Sequence, residues 1–259
     1  MKKQIIDFKV TGCEHLGSLY AMLTLVPADG RPLPEMLPGQ FVQVSVPDSP
    51  STFLRRPISI CNADSDRGEL TLLVRNAGEG TRHLTEARPG DIFNLLLPLG
   101  NGFDINPEFR GKRLLVGGGV GIAPLYYLGR YLKKQGADIS FLIGARSEKD
   151  LLMVDALRGI APVYISTDDG TTGDRGLVTA NRAWQQQWDM ISCCGPAPMM
   201  KAVAKIAWHA GIECEVSLEN MMACGLGACL CCVEKTVKGN VCVCTEGPVF
   251  NINQLTWQD

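Results

Sequence analysis

KRLLVGGGVGIAPLYYLGRYLKKQG, residues 112–136, is the stretch that decides the fold. A short apolar run enters the glycines Gly117, Gly118, Gly119 and Gly121 and leaves as an amphipathic segment of helical length. Pro124 suits the first turn of that helix, where a backbone N–H has no intrahelical partner. Strand, glycine turn and helix in this order place backbone amides and the positive end of a helix dipole where a pyrophosphate could sit. The turn is not the G-x-G-x-x-G fingerprint, because Pro124 holds the last glycine position. Tight strand-to-helix packing would explain the same glycines, so the turn alone leaves both readings open.

The rhythm continues downstream. After Gly136 come ADISFLIGARS, EKDLLMVDALRG, APVYISTDDG, WDMISCCGP, APMMKAVAKIAWHAG and IECEVS, apolar strands alternating with amphipathic helices. That alternation predicts a doubly wound parallel α/β sheet over 106–217. Upstream the texture differs: FVQVSVP, PISICNA, GELTLLVRNAG and DIFNLLLPLGNG are short β-rich runs set between turn signals. They predict a small antiparallel β-barrel over 1–105. Residues 218–259 are rich in cysteine and glycine and poor in apolar residues, so they are expected to form a third, smaller domain that a bound metal helps to hold together.

The 259 residues, 46% of them apolar, suffice for two domains and an appendage with real cores. A net charge of -2 forces no basic face on the chain, which argues against nucleic acid as a partner. Asp7 and Lys9 interrupt the opening MKKQIIDFKV before it could serve as a signal peptide. The longest apolar stretch, Leu114 to Leu128, is broken by four glycines and a proline and is too short to span a membrane. A cytoplasmic protein with no membrane partner is expected.

Seven of the eleven cysteines lie between Cys214 and Cys244, which in a reducing compartment points to metal rather than disulfides. The spacing Cys224-x4-Cys229-x2-Cys232 is that of plant-type ferredoxins, in which a more distant cysteine completes four thiolates around a [2Fe-2S] cluster. Zinc normally takes paired C-x2-C knuckles or histidines; only one C-x2-C occurs here, and none of the three histidines lies in the segment. Gly225 and Gly227 let a loop wrap a cluster with its amides toward sulfur, an interaction that tunes potential. By pattern the fourth ligand is open between Cys242 and Cys244, which share one face if VCVC is a strand.

Two barrel segments carry ligand chemistry. LRRPISI sets Arg56 as a bidentate phosphate clamp and Ser59 as a hydroxyl donor on a strand stiffened by Pro57, although a solvated edge strand would read the same way. LLVRNAGEGTRHLTEA adds Arg75 at a strand end, Gly78 and Gly80 for close backbone approach, and Thr81 as the expected cap of a short helix running through Ala87.

Together these segments resemble the flavin domain of the ferredoxin-reductase superfamily, with its Arg-x-Tyr-Ser strand and Gly-x-Gly-[Ser/Thr] turn. The resemblance implies FAD contacts from Arg56, Pro57, Ile58 and Ser59, from Leu73, Val74 and Arg75, and from Gly80 and Thr81 at the pyrophosphate. Ile58 stands where many relatives carry a tyrosine that stacks on the flavin. The same superfamily has a glycine turn ending in Ala-Pro and a Cys-Gly-Pro-x-x-Met segment beside the nicotinamide. Here these are Gly117 to Pro124 and CGPAPMM, implying NAD contacts from Gly117, Gly118, Gly119, Gly121, Cys194, Gly195 and Pro196. Asp168 and Asp169 stand where NADP users place a serine and an arginine, which favours NAD, although Arg146 and Lys149 could approach the adenosine end.

Over essentially its whole length the chain resembles the electron-transfer subunits of type B dihydroorotate dehydrogenases, through SLENMMACGLGAC and a later cysteine followed by TEGPVF. In that family the last ligand precedes the Gly-Pro-Val-Phe segment, which implies Cys224, Cys229, Cys232 and Cys244 as the cluster ligands and leaves Cys231 and Cys242 outside the set. The resemblance further implies an FMN-containing catalytic partner in a heterotetramer of two copies of each subunit. Electrons would pass from FMN through [2Fe-2S] and FAD to NAD+ in pyrimidine biosynthesis. The chain reads as one parallel sheet and no (β/α)8 barrel, which alone needs about 250 residues, so the substrate is expected to be handled by another subunit. Competing expectations are an NAD(P)H-linked reductase subunit for ferredoxin or sulfide, and a non-redox module built on structural zinc.

Overall fold

The computed structural model describes residues 2–47, 49 and 51–257 and divides the chain into two compact units. One unit comprises Met1–Gly102, Asn220–Glu234 and Cys242–Pro248; the other comprises Phe103–Glu219, Lys235–Val241 and Val249–Asp259.

In the first unit, β1 (Gln4–Leu16), β2 (Tyr20–Pro27), β3 (Phe41–Val44), β4 (Arg56–Asp64), β5 (Glu69–Arg75) and β6 (Ile92–Leu99) close an antiparallel barrel in the order β1-β2-β5-β4-β3-β6. The short helix α1 (Glu79–Thr85) lies between β5 and β6. Alternation produces the closure: along β2 every second residue is buried, and Phe8, Leu25, Leu70, Leu72, Ile60, Val42 and Leu95 form the inner row. Val42 faces Ile58 across the β3–β4 pair, so the intervening Gln43, opposite Pro57 and Leu96, points outward. An outward side chain stays dry only if something covers it, and the cysteine loop does: the space beside Gly225 is bounded by Gln43 and Leu99. The segment after that loop is tied to the barrel as well, since Asn101 Nδ2 donates to the carbonyls of Thr245 and Glu246, both at 3.0 Å.

In the second unit β7 (Lys112–Gly118) leads through a single 3-10 turn into α2 (Ile122–Lys134), followed by β8 (Asp138–Ala145), α3 (Val154–Arg158), β9 (Val163–Thr167), β10 (Asp174–Arg175), β11 (Met190–Cys194), α4 (Ala197–Ala210) and β12 (Glu213–Ser217). Strands β13 (Val233–Thr236) and β14 (Gly239–Cys242) make a hairpin; α5 (Val243–Glu246), which belongs to the first unit, and β15 (Val249–Asn251) follow. The larger sheet runs β10-β9-β8-β7-β11-β12-β15 and is parallel except at β12–β15. Its central strands β7 and β11 are buried at every position but Lys112, as a sheet covered on both faces requires.

Three local expectations are corrected. The helix read over EKDLLMVDALRG shrinks to a 3-10 turn and the five residues of α3, because Met153 takes a left-handed φ of 57° and breaks the run. Between β9 and β11 the chain crosses on 3-10 turns, pinned where Trp184 Nε1 donates to the Val178 carbonyl at 2.7 Å and Trp188 Nε1 to that of Ala183 at 2.9 Å. VCVC is not one strand: β14 ends at Cys242 and Cys244 begins a helical turn, so the two sulfurs do not share a strand face.

A charged cross-strand set links the start of β7 to the middles of β11 and β12. Arg113 is paired with Glu215, Arg113 Nε donates to Ser192 Oγ at 2.8 Å, and Ser192 Oγ donates to Glu215 Oε1 at 2.8 Å. Burial pushes the Glu215 carboxyl up and the Arg113 guanidinium down, and the opposite charge of each partner counters both shifts.

Candidate cofactor sites

The barrel brings its two ligand-type segments together. A Cβ on Gly80 would lie 2.7 Å from Arg56 Nε and 2.9 Å from Thr52 Cγ2, so the guanidinium rests in space that only a glycine leaves open. Neighbouring Arg55 is already committed, donating to the Gln43 and Asn94 carbonyls and to Asn94 Oδ1, which stitches β3 to β6. Arg56 Nη1 donates locally, to the Leu54 carbonyl at 2.8 Å. Helix α1 starts at Glu79, two residues before the cap expected at Thr81 and ends at Thr85 rather than Ala87. Thr81 instead shapes the approach: its hydroxyl accepts from the N–H of Ala77 (2.9 Å) and Gly78 (3.1 Å). The next amide, that of Arg82, donates to the Gly78 carbonyl at 2.8 Å and closes the first turn of the helix. Pro57 and Ser59 are half-buried, Ile58 is buried opposite Val42, Leu73 and Val74 are buried in β5, and Arg75 is exposed at its end.

In the second unit, strand order reverses between β7 and β11, the crevice at which open α/β sheets bind ligands. Both nucleotide-type segments meet there. Cys194 pairs with Gly117 in the parallel ladder, and a Cβ on Gly121 would collide with the backbone of Cys194 and Gly195. Gly118 sits against Met199 and Pro196, and Gly119 opens the turn. The Cys194 thiol is buried, and burial followed by the nearby Glu219 charge raises its pKa, so it is held as a neutral thiol. Asp168 lies in the exposed turn after β9. Alongside, Arg146, Ser147, Lys149, Asp169 and Thr171 line a shallow surface cleft of ≈ 660 Å³. Asp169 is held below the usual carboxylate range by hydrogen bonds from the Thr171 hydroxyl (2.7 Å) and amide (3.0 Å).

The cysteine loop turns its amides toward sulfur. Leu226 N–H donates to Cys224 Sγ at 3.3 Å, Gly227 N–H to Cys244 Sγ at 3.2 Å, and Cys244 N–H to Cys232 Sγ at 3.4 Å. The turn demands glycine at Gly225 and Gly227, whose φ values are 69° and 81°. Hydrogen bonds from the amides of Leu226, Cys229 and Ala228 lower the Cys224 pKa to about 6, favouring the thiolate that metals bind. Burial comes first among the causes that push Cys244 up to about 12. Cys244 and Cys232 are buried, Cys224 is half-buried and Cys229 is exposed. Cys242 instead points its Sγ at the Gly227 carbonyl (3.8 Å), and Cys231 is exposed.

Family models match the chain in three consecutive parts: an oxidoreductase FAD-binding domain over 29–103, an oxidoreductase NAD-binding domain over 115–205, and the iron–sulfur cluster binding domain of dihydroorotate dehydrogenase B over 219–256. The dihydroorotate dehydrogenase B (NAD(+)) electron transfer subunit of Shouchella clausii is 40% identical over 224 residues, covering 84% of this chain and 86% of that one. The chain belongs to this family of electron transfer subunits. The Bacillus caldolyticus member is 38% identical over 232 residues, covering 87% of this chain and 90% of its own length. Among solved structures, the NADH-dependent reduced ferredoxin-NADP oxidoreductase is similar with a TM-score of 0.86 at 28% identity, over 96% of this chain and 90% of that chain. The flavohaem-like FAD/NAD-binding domain of Vibrio cholerae nitric oxide dioxygenase shares the fold, with a TM-score of 0.71 at 20% identity.

As a member of the electron transfer subunit family the chain has FAD, NAD and an iron–sulfur cluster as its cofactors, and its residues fit all three. Gly80 leaves the cradle beside Arg56, the glycine turn meets Cys-Gly-Pro at the switch point, and amides face the sulfurs of a cysteine-rich loop. Sequence reading did not single out Thr52, whose methyl closes the Gly80 cradle, or Met199, which packs on Gly118. It also passed over Gln43, because no local signal marks an outward glutamine that a loop some 180 residues later will cover.

Proposed function

We propose that this chain is the electron-transfer subunit of a dihydroorotate dehydrogenase of the NAD-linked type, carrying electrons from the FMN of a catalytic partner to NAD+ in pyrimidine synthesis. The observation that carries the reading is one chain with amide-lined sulfurs at Cys224, Cys232 and Cys244 and a glycine turn at a sheet's switch point. The match of 219–256 to the cluster-binding domain of that enzyme supports it. When bound, FAD exchanges a hydride with NAD and single electrons with an iron–sulfur centre, so it links two-electron to one-electron chemistry.

The division of labour follows the segments 1–105 for FAD, 106–217 for NAD and 218–259 for the cluster. Arg56 holds the FAD pyrophosphate as a bidentate donor, with Gly80 and Thr81 shaping the turn beside it. Pro57, Ile58, Ser59, Leu73, Val74 and Arg75 line the rest of the flavin site. Gly117, Gly118, Gly119 and Gly121 present backbone amides to the NAD pyrophosphate, with Asp168 toward the adenosine end. Cys194, Gly195 and Pro196 flank the nicotinamide. Cys224, Cys229, Cys232 and Cys244 bind the cluster; Cys242, aimed at a carbonyl, stays outside the set. The partner contains FMN, assembles with this chain as two copies of each, and works in the cytoplasm. No helix among the described residues is long and apolar enough to cross a membrane.

Anaerobic purification from the native source tests this reading. An FMN-containing barrel enzyme should copurify, and the complex should show flavin and iron–sulfur absorption; copurification with a ferredoxin or a sulfide-reducing subunit instead would contradict it.

A further inference from the structure

Gln43 is fully buried, yet neither its amide nitrogen nor its amide oxygen has a hydrogen-bond partner. Leaving such a group unpaired costs about 1–3 kcal/mol, so an idle role is an unfavourable one. Its position suggests what it serves. On β3 it faces out of the barrel, directly opposite Pro57 in the Arg56–Ser59 segment, and the cysteine loop covers it. A Cβ on Gly225, the residue after Cys224, would lie 2.9 Å from Gln43 Cγ and 3.2 Å from its Nε2. The unpaired amide thus lies directly under the loop that carries Cys224 and Cys229. The neighbouring polar side chains are already committed: Gln40 Nε2 donates to the Gly100 carbonyl at 2.9 Å, and Arg55 to Asn94.

We propose that Gln43 is a positioning and tuning residue for the iron–sulfur centre, its Nε2–H donating to a sulfur of the cluster that the Cys224–Cys232 loop holds. The inference rests on the cluster assignment made above. A donor aimed at sulfur stabilises the reduced, more negative cluster, so it raises the reduction potential. Backbone amides of the loop do this for any chain of this shape; Gln43 adds a side-chain donor from the barrel, on the strand next to the flavin segment.

The test compares the flavin- and cluster-loaded wild-type chain with Gln43→Met, which keeps length and volume but removes the donor. Redox titration followed by electron paramagnetic resonance should show the cluster potential of Gln43→Met shifted negative, with the flavin potential unchanged. In the cluster-free protein the same substitution should raise the unfolding temperature, because it removes an unpaired buried amide. A shift confined to the flavin would overturn the proposal by assigning the amide to FAD, and no shift in either would overturn it outright. If Gln43→Met fails to load, the wild-type chain decides the question: with 15N in glutamine side chains only, the reduced cluster should show a nitrogen coupling, and its absence would refute the contact. A wild-type chain with no cluster signal at all would instead strike the underlying cluster assignment.

Discussion

Arg56 Nε lies 2.7 Å from the point where a side chain on Gly80 would begin, so the guanidinium of β4 and the first turn of α1 are fitted to each other through a missing Cβ. This contact joins two segments more than twenty residues apart into one corner of the barrel unit. Gly80→Ala should displace Arg56 and weaken FAD retention about tenfold, and Arg56→Ala should weaken it by about ten- to a hundredfold, as loss of charge-assisted hydrogen bonds implies. Fluorescence titration of the flavin-stripped protein measures both; unchanged affinity in Arg56→Ala would remove Arg56 from the flavin site.

Gly121 faces a harder obstacle than Gly80, because its absent Cβ would meet backbone at Cys194 and Gly195 rather than a flexible side chain. Gly121→Ala should destabilise the nucleotide unit by about 1–3 kcal/mol and cut NADH-driven reduction of an artificial acceptor, while bound FAD stays in place. Calorimetry and a steady-state NADH assay on the same preparation check both parts.

The cysteine ligand choice separates cleanly by substitution. Cys244→Ser should abolish the cluster absorption, since Cys244 is buried and receives the Gly227 amide. Cys242→Ser and Cys231→Ser should leave the spectrum intact. Cluster loss in Cys242→Ser with retention in Cys244→Ser would reverse the assignment.

Arg113 and Glu215 predict a stability pattern unrelated to the cofactors. Glu215→Leu leaves a buried guanidinium without its partner and should cost about 3–5 kcal/mol, and Arg113→Met a similar amount. The double variant should be less destabilised than either single one, because no lone charge remains. Denaturant titration of the three variants measures the coupling.

Much of this architecture was legible because its signals are local. Alternation along β2 and β5, the Lys112–Gly136 passage from strand through glycines to helix, and the Cys224-x4-Cys229-x2-Cys232 spacing each lie within one short window. What escaped depends on contacts between distant segments. No pattern in VFN announces that β15 will pair antiparallel with β12, and nothing near Met153 says that the chain will turn left-handed there. The fit of Gly80 to Arg56 and the burial of Gln43 under Gly225 appear only once the chain has closed on itself. Arg113, read within an apolar strand, gains its reason from Ser192 on the adjacent strand and Glu215 on the strand beyond it.

The central claim is that this chain relays electrons but does not oxidise dihydroorotate, and one assay tests it most directly. The purified chain, loaded with FAD and its cluster, is given dihydroorotate and NAD+ anaerobically, and then NADH with ferricyanide. We predict no NADH formation in the first reaction, rapid NADH oxidation in the second, and dihydroorotate-dependent NADH formation once the FMN-containing partner is added. Reduction of NAD+ by dihydroorotate with the chain alone would contradict the account.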